Sequence, residues 1–188
     1  MELEVSDQKF IGEDFSSSAF AAIEIEGCSF NRCNFQEASL KNKRFLDSNF
    51  EGCNFSLANF QGATFLNCSF VECKLSGVNW SAMKRLVNCT FKGCNFTSSI
   101  MMNLDLRGFV FQDCLLREVD FSGTDLSRSS FSECDLSGAT FRSTNLSGAD
   151  LSSARNYHID PKFNSVLKAR FSLPDALTLL SGLGIELV

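Results

Sequence analysis

The nine cysteines are the residues best able to do chemistry in this 188-residue chain. Three pairs share the spacing Cys-x4-Cys: Cys28 with Cys33, Cys68 with Cys73, and Cys89 with Cys94. Closely spaced thiols suggest a metal site or disulfides. Zinc, however, favours Cys-x2-Cys spacing or histidine partners. The only histidine is His158, beside Tyr157 and far from any cysteine, so it reads as a surface or capping side chain. A single histidine also removes most imidazole-based catalysis. There is no nucleophile-with-base set and no phosphate loop, so neither an enzyme nor a cofactor is expected. The first residues, MELEVSDQKF, are acidic where a signal peptide would be basic and then apolar. An odd cysteine count then fits reduced thiols and a cytoplasmic setting. No stretch fits a transmembrane helix.

The spacing of the apolar residues says what positions those thiols. Large apolar residues recur every fifth position from Phe10 to Trp80 and again from Leu86 to Leu151, with one residue inserted within 81–86. All 29 of these centres are apolar, and the residue two before each is Ala, Cys, Ser, Thr or Val in 22 of them. A five-residue period fits neither a helix nor a flat strand. It fits a chain that turns a corner every five residues and points each centre inward. All nine cysteines, including Cys53, Cys114 and Cys134, fall in the small position two before a centre. They therefore read as buried small hydrophobes. Glycine recurs two after the centre, as at Gly62 and Gly123, where a turn is needed. The Asn-x-Ser/Thr triplets, such as those at Asn54 and Asn145, are by-products of the repeat.

Segments such as Cys134-Asp135-Leu136-Ser137-Gly138 and Ala149-Asp150-Leu151-Ser152 resemble the pentapeptide-repeat family over roughly residues 8–153. The resemblance implies an all-β solenoid, a right-handed quadrilateral β-helix with four pentapeptides per coil. It sorts the centres into four stacks, one of them Phe10, Phe30, Phe50, Phe70, Phe91, Phe111, Phe131 and Leu151. The expected repeat region is 1–155, with a one-residue bulge near 81–86. Lys43 and Lys84 fall in small inward positions and should distort the chain there.

Residues 156–188 are expected to form a short helical cap and dimerisation segment. Asp160-Pro161 and Pro174-Asp175 are helix-start signals, Gly182 can end the second helix, and 184–188 reads as a short strand. Leu177, Leu180, Leu183 and Ile185 would make the apolar face joining two rods as a homodimer. The ending also resembles the dimerising C-terminus of Qnr-type proteins.

Acids outnumber bases 22 to 17, a net charge of −5, which disfavours direct nucleic-acid binding. The resemblance to the Qnr, mycobacterial Mfp and microcin-immunity proteins implies another role, imitation of duplex DNA on DNA gyrase or topoisomerase IV. Residues 105–135 hold Asp105, Asp113, Glu118, Asp120, Asp125, Glu133 and Asp135 against three arginines. Net −4 over roughly 7 Å of rod approaches the charge density of DNA, about one per 1.7 Å. These seven acids are the candidate partner-binding residues. The alternative is a scaffold module for an unrelated protein. Lys41, Lys43, Arg44, Lys84 and Arg85 form a basic patch, and Leu46, Leu66 and Val87 should stack as an exposed apolar column.

Overall fold

The computed structural model describes residues 4–16 and 21–181. The expected centre Phe20, the helix end at Gly182, the residues Leu183 and Ile185, and the strand 184–188 lie outside them. The chain winds as a right-handed quadrilateral β-helix. One face is a parallel sheet of nine three- or two-residue strands, from Lys9–Ile11 to Arg170–Phe171. The preceding face starts as a five-stranded parallel sheet: Glu4–Ser6, Glu24–Glu26, Arg44–Leu46, Thr64–Leu66 and Arg85–Val87. The other two faces are held by single bridges, such as Asn34↔Asn54 and Ile100↔Asp120.

Every coil pairs with the next at equivalent positions, so identical side chains stack. Phe30, Phe50 and Phe70 lie in register, their rings parallel and 5.0 and 4.9 Å apart. The stack continues through Phe91, Phe111 and Phe131 at 5.1 to 5.5 Å. Rings on adjacent faces meet edge-on, as Phe50 meets Phe55 at 5.3 Å and 78°. Offset and edge contacts of this kind add to area burial. Most corners after a centre have positive φ, which favours glycine. At Gly62 and Gly123 space decides as well, since an added Cβ would lie 2.1 and 2.2 Å from the side-chain oxygens of Asn42 and Asn103 below.

The inserted residue is taken up between Trp80 and Arg85. Trp80–Ala82 forms a 3₁₀ turn at the corner, closed by the Met83 N–H on the Trp80 carbonyl at 3.0 Å. The N–H groups of Lys84 and Arg85 then share the Ala63 carbonyl. The slack lets Lys84 turn out to solvent while Met83 packs against the core. Lys84 is thus not inward, and Lys43 is only half-buried.

Coiling also outlasts the repeat sequence. Asp150↔Arg170 and Leu151↔Phe171 pair as strands, and Asn145↔Ser165 forms a bridge. No helix starts at Asp160-Pro161. Asp160 instead closes a turn by accepting the Lys162 N–H at 2.8 Å. Asn164 fills the small inward position of this coil and donates to the Phe141 carbonyl at 3.0 Å. The second helix signal is realised, as a 3₁₀ turn Asp175–Leu177 running into the one-turn helix Thr178–Ser181.

Candidate partner-binding surface

All nine cysteines are free and buried in the inward positions. Six of them, Cys33, Cys53, Cys73, Cys94, Cys114 and Cys134, form a column through successive coils, a feature marked in the sequence by their 20- or 21-residue spacing. Each thiol after the first donates to the centre carbonyl of the preceding coil, Cys53 to Phe30 at 3.3 Å and Cys134 to Phe111 at 3.4 Å. Burial raises the pKa of Cys28 and of Cys33. Burial of this kind disfavours the reactive thiolate at these two positions. The outer surface carries its own charged groups. There, Glu4, Glu24 and Glu26 bring carboxylate oxygens within 4.8 Å of one another, and Arg44 pairs with Glu24. His158 is exposed, between buried Tyr157 and Ile159.

The side chain just before a centre has a repeated structural task. Its oxygen accepts the N–H two residues on, capping the corner. Asn34, Asn54 and Asn95 do this for Gln36, Ser56 and Thr97 at 3.0–3.1 Å. Asp120, Asp125, Asp135 and Asp150 do it for Ser122, Ser127, Ser137 and Ser152 at 2.9–3.1 Å. The corner needs only the oxygen, so the negative charge at Asp120 and Asp125 is surplus to the turn, while Asp135 and Asp150 pair with Arg117 and Arg170.

The seven candidate acids do not share one face, because 31 consecutive residues wrap the square coil about one and a half times. Asp105 and Asp125 bridge each other in successive coils on the face that carries Arg85–Val87. Asp113 and Glu133 stand one coil apart at a corner of the opposite face, with positive φ. Glu118 marks that face's other corner, Asp135 lies on the face itself, and Asp120 lies on the next one. Two of the charges are locally neutralised. Arg107 grips Asp105 with both oxygens engaged, at 2.7 and 2.6 Å, and this pairing holds the carboxyl below the ordinary range. Arg117 binds Asp135 at 2.7 Å. Burial works against ionisation of Asp125, yet hydrogen bonds from Ser127 and Asn145 hold its pKa below the ordinary range.

The profile of the pentapeptide repeat region matches residues 4–80 and 84–151. The chain belongs to the pentapeptide-repeat family. The gap in that match, 81–83, coincides with the 3₁₀ turn that absorbs the inserted residue. No curated protein matches the chain. Among solved structures, a trypsin-treated variant of QnrB1, a plasmid-mediated fluoroquinolone resistance protein, is 21% identical at a TM-score of 0.46, covering 100% of this chain and 99% of its own. Full-length QnrB1 is 18% identical at a TM-score of 0.43, with 97% and 100% covered. HetL, a pentapeptide-repeat protein involved in heterocyst differentiation regulation from the cyanobacterium Nostoc sp. strain PCC 7120, is 18% identical at 0.45, with 92% and 85% covered.

The column Leu46, Leu66 and Val87 forms as the register requires, each side chain half-buried above the next. Beyond Val87 the ladder on this face is interrupted. The sequence reading missed this break. Its signal was two bulky residues, Leu104 and Phe109, in positions that are small in the following coil, Thr124 and Ser129.

Proposed function

We propose that this protein is a non-enzymatic, cytoplasmic binding rod that docks on a type II topoisomerase, DNA gyrase or topoisomerase IV, as a mimic of duplex DNA. The observation that carries the reading is the choice of Asp where Asn would close the corner equally well, at 120 and 125. Charge placed beyond the needs of the fold serves the surface. The acids of successive coils surround the rod, as phosphates surround a duplex. A positively charged DNA groove would attract such a rod at long range, screened over about 8 Å at physiological salt.

Amide replacements test the electrostatics without changing shape. Asp113→Asn, Glu118→Gln and Asp120→Asn together should weaken gyrase binding about three- to a hundredfold, at the scale of exposed charges, roughly 0.2–1 kcal/mol each. The salt dependence of binding should become shallower. Glu24→Gln with Glu26→Gln is the matched control near the other end. Equal weakening by the control would reduce the effect to net charge. No inhibition or protection of gyrase by the wild type in supercoiling assays with ciprofloxacin would turn the reading to a scaffold for another protein.

The same reading joins two rods through their C-terminal ends. Leu177 is 42% exposed and Leu180 half-buried beside the last coil. Leu180→Glu should convert a dimer into a monomer by light scattering while the coils stay folded. A wild type already monomeric at tens of micromolar would confine this segment to capping.

A further inference from the structure

The break in the ladder leaves two strand edges facing each other without pairing. Elsewhere on this face each step is bridged, from Glu4–Ser6 up to Arg85–Val87, and again through Asp105↔Asp125, Asn145 and Ser165. Between residues 84–89 and 104–109 no backbone hydrogen bond crosses among the described residues. In the preceding coil the Asn67 N–H donates to the Val87 carbonyl at 3.0 Å. By the same register Asn88 should reach Arg107, and the Leu86 N–H and carbonyl should meet the 105–107 backbone. None of these bonds forms, and the Arg107 N–H makes only the corner bond to the Asp105 side chain, at 3.3 Å. Volume is the cause. Leu104 and Phe109, on either side of the buried centre Leu106, are too large for the inward positions and stay half-buried, wedging the coils apart.

The wedge opens a run of three adjoining hollows of about 250, 270 and 300 Å³. Leu86, Val87 and Phe109 supply apolar lining, and Lys84, Arg85, Arg107 and Arg128 supply charge. The one carboxylate there, Asp105, is already held by Arg107. Four cations against one anion is an unusual local balance on a chain of net charge −5.

We propose that this cleft binds an extended acidic segment of a partner protein. Its backbone completes the free edge of Arg85–Val87, its apolar side chains rest on Val87 and Phe109, and its carboxylates meet Arg85 and Arg128. An open strand edge templates an added strand, and the surrounding cations select its charge. The proposal is independent of the topoisomerase reading, since the acids varied to test that reading lie on other faces and corners.

The test uses the full chain and a fluorescein-labelled synthetic peptide of about nine residues alternating Val with Glu, long enough to cross the edge. Saturable binding is expected at about 10–100 µM, with slowed hydrogen exchange at the Leu86 and Asn88 amides. Leu104→Thr with Phe109→Ser gives this coil the residues of the next, lets the ladder close, and should weaken binding at least about tenfold, 1.4 kcal/mol. Arg85→Glu with Arg128→Glu changes only exposed side chains, so it reports even where that repacked variant fails to fold, and should weaken binding comparably. No binding up to 1 mM would overturn the proposal. So would equal binding of a peptide methylated at alternate backbone nitrogens, or of one with Lys in place of Glu. Displacement of the peptide by single-stranded oligothymidylate, with the same variants affected, would reassign the cleft to phosphate.

Discussion

Phe50→Ala is expected to destabilise the solenoid by about 3–5 kcal/mol, the range for deleting a large buried aromatic where neighbours cannot collapse. The ring is 1% exposed. It is stacked between Phe30 and Phe70 and edged by Phe45 and Phe55 at 5.5 and 5.3 Å. Those neighbours are fixed by their own coils, whose backbones are hydrogen-bonded above and below the gap. The hole therefore stays open, and each coil's stability depends on its neighbours. Urea unfolding followed by circular dichroism measures the loss. A change below 1 kcal/mol would show that Phe50 is not enclosed. Phe171→Ala should be milder, because that ring closes the ladder, is only partly buried and meets one aromatic, Tyr157, at 5.6 Å.

The architecture was legible because one rule repeats. A five-residue period, a small residue two before the centre and a turn two after it carry the coil, the four stacks and the inward cysteines. The rule stopped short at the C-terminal end because the five-residue series fails at Asn156 and Pro161 and resumes only at Val166 and Phe171. The coil survives there because Tyr157 and Ile159 fill the interior and Asn164 supplies the missing inward hydrogen bonds. Lys84 misled for the opposite reason. It fits the inward position by count, but the inserted residue lets it leave and Met83 take its place. The candidate acids were legible as a charge density along the chain and not as a patch. Whether an acid is surplus, as at Asp120, or tied to an arginine, as at Asp105 and Asp135, depends on partners 2 to 21 residues away in sequence and one coil away in space.

Asp135→Ala should cost about 2–3 kcal/mol, the scale of hydrogen bonds to a charged group. Of the candidate acids it alone is buried, at 2% exposure. Its oxygens accept the Ser137 hydroxyl and N–H at 2.6 and 3.1 Å, the Asn156 amide at 3.0 Å, and Arg117 Nε at 2.8 Å. Burial alone would raise its pKa. The bonds from Asn156, Ser137 and Arg117 outweigh burial and hold the carboxyl well below the ordinary range. A carboxyl with a lowered folded-state pKa stabilises the fold fully above its unfolded value, about 3.9. That stabilisation drains away as pH falls through and below 3.9. Wild-type stability should therefore drop on acidification from pH 5 to 3, and Asp135→Asn should flatten that limb while keeping the corner oxygen. Asp120→Asn, at a corner with no arginine across it, should change stability by less than about 0.5 kcal/mol. An acid limb unchanged in Asp135→Asn, measured by urea unfolding at each pH, would show that this carboxylate does not tie the last full repeats to the Asn156 coil.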